Sequence, residues 1–183
     1  MAQERESWKI KDEAVLSELV TLMGVSDEEK ALLGGLQDQA RAMAPKMTEV
    51  FYERLLKHQN TQEYLQSLST ERMHSMLGTW FIELFNGTYD EAYARQRMQI
   101  GQVHVRIGLP VRYPLAMLDV IIPFGEQVAQ QSPRPEQALT AFRKLLALDV
   151  AVFNQAYENN QLRHLAELVG GERLARLLLA GQG

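Results

Sequence analysis

Apolar residues recur along the chain at helical spacing, about every 3.6 residues, and nowhere alternate over the length of a strand. The pattern predicts an all-α fold. A first amphipathic segment, from about Glu13 to Met23, carries Val15, Leu16, Leu19, Val20 and Leu22 and breaks at Gly24. Ser26-Asp-Glu-Glu29 then spells a capping box, in which the serine hydroxyl accepts from the amide of residue 29 while the Glu29 carboxylate reaches back. After Gly34-Gly35 a long helix runs to about His58, with Leu36, Ala40, Met43, Met47, Val50 and Phe51 on one stripe. Near its end Tyr52, Leu55 and Leu56 fall on a rotated face, which predicts contact on two sides.

The stretch from His58 to Thr61 interrupts the pattern, Tyr64, Leu65 and Leu68 form a short apolar connector, and Ser69 or Thr70 can cap the next helix. From there the spacing is regular: Met73, Met76, Leu77, Trp80, Phe81, Leu84 and Phe85 make one broad apolar and aromatic face. Asn86-Gly87 stops that helix, and Thr88-Tyr-Asp90 starts another that passes His104 and ends at Gly108 and Pro110. Two more helices are expected over residues 111–130 and 136–169, separated by Ser132-Pro-Arg-Pro135. Pro114 suits a first turn, whereas Pro123 sits mid-helix and predicts a kink.

The last long helix has two apolar stripes. Leu139, Phe142, Leu146, Val150, Phe153 and Tyr157 form one, and Ala138, Ala141, Leu145, Leu148 and Val152 the other. Burying both predicts that a second chain covers one of them. Gly170-Gly171 then interrupts, and residues 172–179 form a short amphipathic end. The chain has no internal repeat and no low-complexity segment.

With 183 residues and 46% hydrophobic content, the chain suits one domain with a sizeable core. Its net charge is −4, and its Lys and Arg residues are scattered without a basic arm, which argues against a nucleic-acid partner. No apolar run approaches the length of a membrane span, and the opening Met-Ala-Gln-Glu-Arg-Glu-Ser lacks the basic-then-apolar order of a signal peptide, so the expected location is cytoplasmic. The absence of cysteine removes disulfides, thiolate nucleophiles and zinc knuckles.

One residue stands out chemically. Ile100 lies four residues before His104 and Ile107 three after it, so the three share a helix face beside the stop at Gly108. A lone histidine on an apolar stripe reads first as a hydrogen-bonded core residue. The alternative is an imidazole offered to haem iron.

Three segments bear on that choice: Phe51-Tyr52-Glu-Arg-Leu55, Met73 through Trp80-Phe81-Ile-Glu-Leu-Phe85-Asn-Gly87, and Arg97-x-x-Ile100-Gly101-x-x-His104-x-Arg106-Ile107-Gly108-Leu109. Together they resemble the globin domain of bacterial globin-coupled sensors and its protoglobin and single-domain relatives, over most of the chain. The resemblance implies a globin fold with an extra N-terminal helix, b-type haem with His104 as proximal ligand, and a homodimer joined mainly through the last two helices. Residues 1–24 would be the N-terminal extension, 25–169 the sensor globin and 170–183 a linker or tail.

In such sensors the globin reports O2, or in some cases NO or CO, to a transmitter such as a diguanylate cyclase, a histidine kinase or a chemotaxis signalling domain; the expected role is sensing and not catalysis. Without cysteine, the haem must be held non-covalently. Tyr52 aligns with the tyrosine that donates to the gas ligand, and Met73, Met76 and Leu77 are expected on the distal side. Relatives often carry leucine or threonine where Met73 and Met76 align, so polar control falls to Tyr52; a methionine sulfur at the sixth iron position stays open. Phe51, Tyr64, Trp80, Phe81, Ile100, Ile107, Tyr113 and Met117 are candidate pocket walls, each also explicable by packing. Arg72, Arg97 and Arg106 are candidate propionate partners. His74 lies one residue off the distal face and is expected to face solvent, and His58 is expected to meet a helix C-terminal dipole. Two other readings stay open: a globin for O2 binding or NO and peroxide redox chemistry, and a haem-free interaction module.

Overall fold

Side-chain caps open the helices where the sequence spells them. In a computed structural model describing residues 5–11, 14–65 and 69–181, a 3-10 turn over Glu6–Lys9 precedes α1 (Ala14–Met23) and α2 (Asp27–Gly34). Both bonds of the capping box form: the Glu29 amide donates to the Ser26 hydroxyl at 3.1 Å, and the Ser26 amide to the Glu29 carboxylate at 2.8 Å. α3 (Gln37–Lys57) and the single turn α4 (Gln59–Gln62) come next. Ser69 caps α5 (Thr70–Glu83) by accepting from the Arg72 amide, and Asp90 caps α6 (Glu91–Arg106) by accepting from the Tyr93 amide. Glu13 and Leu68, expected in the first helix and the apolar connector, lie outside the described residues, as do residues 1–4 and 182–183.

The helix expected over residues 111–130 is two: α7 (Arg112–Ala116) and α8 (Leu118–Ala129). The break falls at Met117, and α8 continues through Pro123. Pro123 cannot donate to the Asp119 carbonyl, and both residues are exposed. α9 (Pro135–Val169) and α10 (Glu172–Leu179) complete the chain. The described residues contain no strand, and no helix among them is long and apolar enough to cross a membrane.

α9 is the central element. It packs against α6, α10, α2, α8 and α1, while α3 packs against α5 and α8. Ala138, Ala141, Leu145, Leu148 and Val152 are buried, and on the other stripe Phe142 and Leu146 are buried with Leu139, Val150, Phe153 and Tyr157 half-buried. Helices of the same chain thus cover one stripe fully and the other in part.

A buried polar cluster crosses this core. Asp149 of α9 is 1% exposed; its Oδ1 accepts from Arg97 Nε at 2.5 Å and from the Tyr93 hydroxyl at 2.5 Å, and its Oδ2 from Trp80 Nε1 at 3.0 Å. Arg97, also 1% exposed, donates onward to Glu83 at 2.7 Å and lies 4.3 Å above the Tyr93 ring. Two buried charges are tolerable here because each has several charge-assisted hydrogen bonds.

Removing either partner strands the other charge. Arg97→Ala and Asp149→Ala are each expected to lower the unfolding free energy by roughly 3–5 kcal/mol. Urea denaturation measures this, and the double variant should lose less than the sum of the single losses.

Candidate haem site

His104 sits in the last turn of α6, where Ile107 closes the helix and Gly108 takes a left-handed φ of 73°. Its Nδ1 lies 2.8 Å from the Ile100 carbonyl. A carbonyl can only accept, so Nδ1 carries the proton and Nε2 keeps its lone pair when the ring is neutral. Burial pulls the imidazole pKa down, against the opposing pull of the Ile100 bond, and so favours that neutral form.

The floor beneath His104 comes from α9. The Phe153 ring meets the imidazole edge-on at 5.4 Å and 80°, and Tyr157 lies 5.6 Å from Phe153. The Tyr157 hydroxyl donates to the Leu109 carbonyl at 3.0 Å, tying α9 to the chain just past α6. Gly101 makes this closeness feasible. A Cβ there would stand 2.7 Å from both the Ala156 Cβ and the Phe153 carbonyl oxygen, a separation real side chains essentially never adopt.

On α3, Tyr52 is buried and burial pushes its phenol pKa up to about 12, so it retains its proton. That proton goes to the Met73 carbonyl of α5 at 3.0 Å. The ring packs against Phe51 at 5.3 Å and 75°, and stacks on His74 at 5.1 Å and 27°. His74 is therefore not solvent-facing as expected: it is half-buried, with Nδ1 3.1 Å from the Thr48 hydroxyl. Residue 74 points toward α3 because α3 and α5 pack along most of their length.

The remaining candidates divide. Met73 is buried, Leu77 is half-buried, and Met76 is 46% exposed. Trp80 is held by Asp149, and Phe81 is fully buried in an aromatic stack with Phe85 and Phe142, which places it in the core. Ile100 is half-buried and Met117 buried, while Ile107 is 47% exposed. Tyr113 gathers Tyr64 at 6.4 Å and His58 at 6.2 Å beyond the end of α6. Arg97 is committed to Asp149 and Glu83 and leaves the group of propionate candidates; Arg72 and Arg106 remain exposed.

The donor set fits a haem: one neutral imidazole with a bare Nε2, with Val103 and Ile107 left accessible beside it on α6 and Met76 accessible on α5. Phe153, Asp149 and Thr48 were not singled out from the sequence. A lone aspartate between Leu148 and Val150, inside an apolar stripe, is the signal that marks Asp149.

Comparison with known proteins places the chain among globins. Over 169 residues the chain is 27% identical to the heme-based aerotactic transducer HemAT of Halobacterium salinarum, covering 84% of this chain and 35% of the transducer, so it spans about a third of that relative's length. The globin domain of the Geobacter sulfurreducens globin-coupled sensor superposes with a TM-score of 0.71 at 29% identity, over 77% of this chain and 96% of that one. Residues 12–163 match the protoglobin family model, and the chain belongs to that family.

Proposed function

We propose that this chain is a haem-based gas-sensing domain, holding b-type haem non-covalently through His104 and responding to O2, CO or NO. The observation that carries the reading is the His104 Nδ1 to Ile100 carbonyl bond, which presents Nε2 as an unprotonated ligand at the end of an apolar helix. Haem, when bound, supplies the iron at which a diatomic gas is captured.

The chain's residues do the rest. His104 fixes the proximal side and Phe153 limits its rotation. Met73 and Leu77 form the apolar distal wall with Tyr52 as its hydroxyl donor, and Met76, Val103 and Ile107 offer apolar surface to the macrocycle. O2 would be a better hydrogen-bond acceptor than CO at such a haem, so a distal hydroxyl would favour it. Signalling through a homodimer joined along α8 and α9, to a transmitter, extends the reading; the similarity to a transducer of Halobacterium salinarum supports the signalling part. Sensing requires two conformations that differ in gas affinity, and α6 and α9, in contact at Gly101, are the elements placed to differ.

The visible spectrum tests this. Purified protein reconstituted with haem should show a strong Soret band that His104→Ala loses; a protein without the band favours a haem-free interaction module. In Gly101→Ala the new methyl group must push α6 from α9. Haem loss to a scavenging apoprotein should then accelerate by roughly tenfold, the equivalent of a modest overpacking penalty. Sedimentation velocity of gas-bound and gas-free protein reads the dimer.

A further inference from the structure

The distal side holds more than a tyrosine. Thr48, 2% exposed, donates its single hydroxyl proton to the Pro45 carbonyl at 3.0 Å. In its 3.1 Å contact with His74 the same hydroxyl must therefore accept, and His74 Nδ1 must donate. The imidazole is held at a defined angle by a buried group of α3. Its face lies against the Tyr52 ring, whose other contact is the edge of Phe51.

Clamped in this way, Tyr52 points its hydroxyl at the Met73 carbonyl. A phenol has one proton, so it cannot donate to Met73 and to a gas ligand together. Residues 73 and 74 are adjacent, which means one turn of α5 supplies both the competing acceptor and the ring that holds the donor to it.

We propose that His74 is a positioning residue that sets gas discrimination in this chain: by stacking on Tyr52 it keeps the phenolic proton on the Met73 carbonyl and withholds it from O2. The proposal rests on the haem-sensor reading. O2 then gains only the difference between two hydrogen bonds, and CO, a poor acceptor, gains nothing from the clamp's release.

The test compares ligand release from haem-loaded protein by stopped flow. His74→Ala frees Tyr52, and O2 release should slow by about three- to tenfold, the worth of one modest hydrogen bond, with CO release unchanged. In a Tyr52→Phe background, His74→Ala should leave O2 release unchanged. His74→Phe keeps the stack and should stay within about twofold of the parent. An equal change for CO, the same change in the Tyr52→Phe background, or no change in O2 release overturns the clamp. A second readout needs no haem: long-range proton–nitrogen NMR should show the Nδ1-protonated tautomer at His74 and its loss in Thr48→Val, and the opposite tautomer in the parent chain also overturns the proposal. A chain that takes up no haem overturns the sensor reading, and the clamp's role with it; a haem-loaded chain whose O2 release ignores His74 overturns the clamp alone.

Discussion

Asp149, a carboxylate with almost no access to water, joins the three helices that frame the site. Trp80 of α5 and Tyr93 and Arg97 of α6 all donate to it on α9. Taking such a charge from water costs several kcal/mol, offset only when every lone pair finds a donor at good geometry. That requirement narrows the arrangement: α5, α6 and α9 satisfy the cluster together only in one mutual orientation. Arg97 lies seven residues before His104, two helical turns along nearly the same face. The cluster therefore anchors one end of the α6 stripe, Gly101 seats its middle on α9, and His104 occupies the other end.

Three polar side chains around the site are satisfied by the main chain. His104 donates to Ile100, Tyr52 to Met73 and Tyr157 to Leu109, each to a carbonyl. Each bond removes a buried donor from demand without adding a second side chain, so the surroundings stay apolar while orientation is controlled. The His104 bond leaves Nε2 bare, whereas the Tyr52 bond occupies the phenolic proton, so the two groups are prepared in opposite senses.

Much of this was legible in the sequence, and the legible parts are local. Ser26 and Glu29, Ser69, Asp90 and Gly108 act on backbone groups within a few residues, so their spelling determines where helices open and close. The inward face of His104 was readable from its spacing to Ile100. What failed depended on distant partners. Arg97 read as a candidate propionate partner because its partner Asp149 lies 52 residues on. Phe153 read as one more residue of an α9 stripe, since its contact with His104 depends on how α6 packs on α9. His74 read as solvated since helical phase alone does not show that α3 runs alongside.

The length of α9 has a mechanical consequence. Its 35 residues run far beyond the point where Phe153 meets α6. From Phe153 to Val169 the helix extends about 24 Å, so each degree of tilt about that contact carries its far end roughly 0.4 Å. Because Gly101 brings α6 to van der Waals range of α9 with no side chain between to absorb motion, a displacement of α6 has little slack to cross before it tilts the shaft. α9 has the geometry of a lever with its fulcrum under His104, and α10, folded back on it past Gly170, sits on the long arm.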